Sequence, residues 1–110
     1  MLICHPESVQ PTQEEIAADP VHQDWLGEVT RRGQFVSGSR LRPVKEARSV
    51  RVRKGKSHVI DGPFAETKEV VGGYVVVECD SIDEAIDVAA GHPFARHGTI
   101  EVRPVWEPVD

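Results

Sequence analysis

Asp61 and five histidines, His5, His22, His58, His92 and His97, are the side chains of this sequence best suited to proton transfer near neutral pH. A carboxylate beside an imidazole orients the ring and favours its charged form, which makes the two a tunable acid or base. Asp61 is held in a rigid bend: Gly62 supplies backbone freedom, while Pro63 fixes its own φ and pushes Gly62 away from the α region. Phe64 can anchor that bend by burying its ring. Asp61 and His5 are therefore the candidate catalytic residues. An Asx turn, with the carboxylate accepting backbone N–H bonds, accounts for Asp61 equally well without any ligand. Among the other histidines, His22 falls near a helix start, where the dipole disfavours imidazolium. His92 follows a helix end, where the dipole favours it. Arg40 is the candidate cation for an anionic ligand. Phe64, Glu66, Lys68 and Tyr74 complete the candidate ligand-binding set, although Glu66, Lys68 and Glu69 serve equally as surface ion pairs.

Several chemistries have no motif here. The sequence contains no phosphate-binding loop with Lys and Ser/Thr, no GxGxxG, no HExxH and no GxSxG. The histidines lack metal-ligand spacing, and no cofactor or metal is expected. Cys4 and Cys79 lie in apolar, strand-like runs outside any CxxC pair, which suits small buried hydrophobes in a reduced protein. As sheet neighbours they would also be placed to form a disulfide.

The chain has 110 residues, enough for a single domain spanning 1–110 with a thin core, and its 39% hydrophobic content is that of a folded protein. The net charge is −5 at pH 7, yet residues 40–56 carry Arg40, Arg42, Lys45, Arg48, Arg51, Arg53, Lys54 and Lys56 against Glu46. That stretch reads as a solvated hairpin face. The net negative charge and the missing nucleic-acid motifs disfavour a phosphate backbone as partner. No run of 18 apolar residues exists, so no membrane span is expected, and the start lacks the apolar segment of a signal peptide. The default location is cytoplasmic.

Elements follow from spacing. Residues 1–5 form a first strand. Thr12 and Glu15 have capping-box spacing, and Asp19–Pro20 opens a helix over about 20–32 with Val21, Trp25, Leu26 and Val29 as its stripe and Gly33 as its stop. Residues 35–41 form a strand, with Phe35, Ser37, Ser39 and Leu41 on one face and Val36, Gly38 and Arg40 on the other. Residues 49–53 and 58–60 form a hairpin around Lys54–Gly55–Lys56. The run 70–79 is apolar on both faces, with Val71, Val75, Val77 and Cys79 on one side and Tyr74 and Val76 on the other, as expected of a strand covered twice. Ser81 and Glu84 cap a helix over about 82–90 whose inner stripe is Ile82, Ala85, Ile86 and Ala89. Residues 99–103 close the chain. Without the hairpin the order is βαββαβ, the ferredoxin-like α+β pattern. Its helices cover one sheet face only. A second copy packed on the other face, over Tyr74 and Val76, gives a homodimer through the sheet face.

The segment Asp61–Gly62–Pro63–Phe64–Ala65–Glu66–Thr67–Lys68–Glu69, followed by Gly72–Gly73–Tyr74, resembles the DGPF branch of the YCII-related family. Asp83–Glu84–Ala85 and the ending Gly98–Thr99–Ile100–Glu101–Val102–Arg103–Pro104 are similar too, so the likeness covers about residues 34–106. The first 33 residues depart from it: members often have a longer first strand and a tyrosine-containing start, where this chain has Cys4–His5–Pro6–Glu7. The resemblance implies a dimeric α/β barrel built on the ferredoxin-like pattern. It also implies two alternative roles. One is a small-molecule enzyme using a histidine and an aspartate in a cleft, onto which Asp61 maps through the motif. The other is a non-catalytic ligand-binding or regulatory module linked to transcription control. Neither specifies a substrate or a reaction.

Overall fold

The computed structural model describes residues 1–62 and 68–107; Phe64 and Glu66 of the candidate set lie outside them. Local sequence signals set the element boundaries. Thr12 Oγ1 accepts from the Glu15 amide at 3.0 Å while the Glu15 carboxylate reaches back to the Thr12 amide, and this box opens α1 (Gln13–Ala18). Asp19 accepts from the Val21 amide at 2.9 Å and Pro20 takes the first position of α2 (Pro20–Arg31). Gly33, at φ 69°, follows the end of that helix. Ser81 accepts from the Glu84 amide at 3.1 Å to start α3 (Ile82–Ala90).

The strands are β1 (Leu2–Pro6), β2 (Phe35–Arg40), β3 (Arg48–Arg53), β4 (Lys56–Asp61), β5 (Glu69–Val77) and β6 (Thr99–Glu101). Four of them form an antiparallel sheet in the order β2-β5-β1-β6, which is compatible with the ferredoxin-like pattern. Among the described residues the other two, β3 and β4, pair only with each other. Lys54 (φ 52°) and Gly55 (φ 75°) both have positive φ, the conformation of a two-residue type I′ hairpin turn.

Helices α2 and α3 cover the sheet face carrying Ile3, Phe35, Val75 and Val77. Trp25 and Val29 of α2 are buried against Val75, with Val88 of α3 packed alongside. The Trp25 indole N–H donates to the Val88 carbonyl at 2.7 Å and ties the two helices together. No side chain among the described residues is completely enclosed, as expected for a thin core.

Two irregularities in the sheet overturn expected facings. Strict alternation put Val71 with Val75 and Val77. The β1–β5 register instead shifts between Ile3 and Cys4, so that Ile3 faces Gly73 while Cys4 faces Val71. The extra residue places Gly72 and Gly73 together at the bulge and turns Val71 to the open face, beside Tyr74. A second shift between Phe35 and Ser37 turns Phe35 inward, onto the face of Gly38 and Arg40, and leaves Val36 exposed. In α3 the buried side is Ala85, Val88 and Ala89; Ile82 and Ile86 stay exposed beside Ile100 and Val102. The helix is rotated from its expected stripe because Val88 takes the place against Trp25.

The β3–β4 ribbon has an apolar side of Val50, Val52 and Val59, which are 63%, 57% and 63% exposed. A lone two-stranded hairpin is marginal in water. The radius of gyration, 16.1 Å, exceeds the ~13 Å of a compact domain this size, consistent with a ribbon that stands off the body. Cys4 and Cys79 are both free thiols, and burial raises the pKa of each. No described helix is long and apolar enough to cross a membrane.

Candidate functional site

A cleft of about 490 Å³ opens between α1, α2 and the inner sheet face. Its size is within the range of small-molecule sites, ~300–1,000 Å³. Trp25, Leu26, Phe35 and Phe94 supply apolar wall, and Gly38, Gly72 and Gly73 line it without side chains.

His5 is brought into this cleft by β1 and is only 7% exposed. Its ring lies on the space that a side chain at position 72 would need, since a Cβ built on Gly72 would be 2.3 Å from His5 Nε2. His5 Nδ1 is 2.7 Å from the Pro6 carbonyl oxygen. A carbonyl can only accept, so the neutral ring carries its hydrogen on Nδ1 and keeps a lone pair on Nε2.

His92 lines the same cleft from beyond the end of α3 and is 4% exposed. Its Nδ1 accepts from the Phe94 amide at 3.1 Å, which places the hydrogen of the neutral ring on Nε2. The two imidazoles thus have opposite tautomers, and both flank Phe94, with ring centroids 5.8 Å from it for His5 and 6.1 Å for His92. The helix-end position was expected to favour imidazolium at His92. The reverse holds: burial, and then the neighbouring His22, push its pKa down to about 4 against the opposing pull of Asp19. Desolvation in the Trp25 contact, at 4.7 Å between ring centroids, outweighs the dipole.

Arg40 reaches the rim of the cleft from β2. Its guanidinium donates to Gln13 Oε1 at 2.7 Å and to the Pro11 carbonyl, both neutral acceptors.

Asp61 is placed differently. It ends β4 opposite Arg48, whose Nε lies 3.2 Å from its carboxylate, and its side chain is 88% exposed. Such exposed pairs add little stability. Asp61 is not among the residues lining the cleft, so the structure does not bring it to His5 within one chain. Lys68 is exposed just before β5. Tyr74 belongs to the open sheet side, cross-strand from Leu2 and Ser39, and also borders the cleft. His58 is on the hairpin opposite Arg51. Among the described residues no group of three or more His, Cys, Asp or Glu side chains could hold a metal ion. Sequence reasoning did not commit His22 and His92 to the site. The Gly72–Gly73 pair inside an apolar strand was the available sign of a close approach there.

The α+β sheet order is compatible with the ferredoxin-like pattern and leaves a histidine-lined, ligand-sized hollow between helices and sheet. The profile of the YCII-related domain matches residues 1–108, and the chain belongs to that family. An uncharacterized protein of Rhizobium meliloti (strain 1021) is 41% identical over 75 residues, which are 66% of this chain and 60% of that protein. The match therefore spans less than two thirds of that relative's length.

Proposed function

We propose that this chain is a small-molecule enzyme of the DGPF branch, in which His5 acts as general base in the cleft. The observation that carries this reading is the His5 geometry: a nearly buried imidazole whose Nδ1 hydrogen is fixed on the Pro6 carbonyl, leaving Nε2 as acceptor. Fixing the tautomer aims the basic nitrogen in advance, as general-base catalysis requires. The nearby neutral His92 carries a donor on Nε2, suited to polarising a carbonyl oxygen. The chemistry these groups fit is enolisation. A proton leaves the carbon next to a carbonyl for His5 Nε2, the C–H electron pair becomes the C=C bond, and the carbonyl π pair moves onto oxygen, giving an enolate that accepts a hydrogen bond from His92 Nε2–H. Delivery of the proton from His5 to that oxygen gives the enol, and its return to carbon exchanges the hydrogen with solvent, with no net redox change.

Phenylpyruvate in D2O is a suitable probe. Loss of its C3 protons in the NMR spectrum should be accelerated by about 10²–10⁴-fold and should fall to the uncatalysed rate with His5→Gln, the fold being checked by circular dichroism. Equal exchange rates with the natural chain and His5→Gln would remove His5 as a base. Tight binding without exchange would favour the non-catalytic ligand-binding module.

The assembly we propose is a homodimer through the open sheet face, forming the two-chain α/β barrel of the resemblance. Its support is the apolar surface left uncovered: Val71 and Tyr74 on the sheet, 42% and 39% exposed, and the valine side of the β3–β4 ribbon. Charge favours contact between copies as well. Residues 48–61 carry five cations and one acid, whereas the rest of the chain holds eight cations and 17 acids.

A further inference from the structure

The chain has 18 Asp and Glu residues and a net charge of −5, yet among the described residues none of these acids lines the cleft. The polar groups facing it include one guanidinium, three imidazoles, Gln13 and Ser39. A hollow lined by a guanidinium and by no acid among the described residues favours anions over organic cations. Among the described residues Arg40 is its only Lys or Arg. It is anchored by neutral acceptors, so its charge is undiminished and it keeps N–H donors beyond the two bonds to Gln13 and Pro11. The remaining lining is largely apolar: Trp25, Phe35 and Phe94 border the hollow together with backbone at Gly38 and Gly73, and the His5 ring lies over Gly72.

We infer that the cleft selects an organic anion, a flat apolar body bearing one carboxylate, with the carboxylate on the Arg40 guanidinium at the rim and the body among Trp25, Phe35 and Phe94. The inference rests on the reading of this cleft as a small-molecule site and names the substrate class it takes. His92 adds no competing charge, because burial keeps it neutral. Selectivity comes from Arg40. Its planar fork holds a carboxylate by two parallel bonds, which a neutral ester cannot reproduce.

The test is calorimetric titration of the whole chain with phenylpyruvate, its methyl ester and phenethylamine. Two-dimensional NMR of the Trp25 indole and the His5 ring locates the binding. Phenylpyruvate should bind about tenfold or more tightly than the ester, and phenethylamine should not shift the cleft signals. Arg40→Gln should erase the acid-over-ester preference, and Arg40→Lys, which keeps the charge and so serves as the folding control, should retain part of it. Equal binding of acid and ester, or a preference unchanged by Arg40→Gln, overturns the inference while leaving the cleft as an acid/base site. Arg40-dependent binding of phenylpyruvate with no His5-dependent exchange supports the inference and defeats the enzyme reading. Cleft signals unmoved by all three probes defeat both.

Discussion

The imidazole of His5 occupies the place where position 72 would carry its side chain: a Cβ on Gly72 would be 2.3 Å from His5 Nε2 and 2.4 Å from Cδ2. Gly72 is therefore glycine because His5 lies on it. Its φ is not among the positive ones, so alanine meets no backbone obstacle there and its effect is steric. Gly72→Ala should displace the ring, break the Pro6 contact and end His5-dependent exchange. The stability loss should be about 1–3 kcal/mol, read by denaturant unfolding. A variant with full activity and an unmoved His5 ring signal would contradict the close approach.

His92 gives the pH dependence a definite sign. Its folded pKa is lowered to about 4, whereas the unfolded chain protonates near the ordinary histidine value of about 6.5. Above that range both states are neutral at this residue and stability is unaffected by it. As pH falls from about 6.5 toward 4 the unfolded chain binds a proton that the folded chain does not, and stability declines by up to ~1.4 kcal/mol per pH unit. His92→Asn keeps a side-chain acceptor for the Phe94 amide and should flatten this part of the curve, as measured by urea unfolding at several pH values. An unchanged acid slope in the variant would show that His92 is not its source.

The Trp25 indole is the hydrogen-bonded link between α2 and α3, through the Val88 carbonyl. Trp25→Phe keeps most of the apolar contact but removes that donor and should cost about 1–3 kcal/mol, visible as a lowered unfolding midpoint. It should also alter the ring environment of His92, whose centroid is 4.7 Å from that of Trp25. A stability loss under about 0.5 kcal/mol would mean that the bond adds nothing net.

The exposed valines of the ribbon give the assembly a separate lever. Val50→Lys with Val59→Lys should reduce the mass in light scattering from two chains to one, while far-ultraviolet circular dichroism keeps the sheet signal. A single-chain mass for the unaltered protein at micromolar concentration removes the dimer altogether.

Capping and turn chemistry were the most legible parts of the fold. Thr12, Asp19 and Ser81 each make the side-chain bond their position foretells, because these contacts are local. The bulges at Gly72 and after Phe35 were not legible. An extra residue in a strand leaves no mark on composition, and alternation fails silently beyond it. The rotation of α3 has the same origin in tertiary contact: Val88 wins the place against Trp25, and sequence spacing alone favoured Ile82 and Ile86. At the site, the end of the first strand put His5 within reach of correct placement. Asp61 belongs to a ribbon whose path relative to the sheet depends on contacts distant in sequence.

The bulge at Gly72 also lets β5 carry one extra residue without turning its first half over. Val70, opposite His5, belongs to the inner face, and Val71, opposite Cys4, to the outer one. Deleting Gly72 alone would restore plain alternation with Val70 still inward and Val71 still outward, while removing the residue whose missing side chain leaves room for the His5 ring.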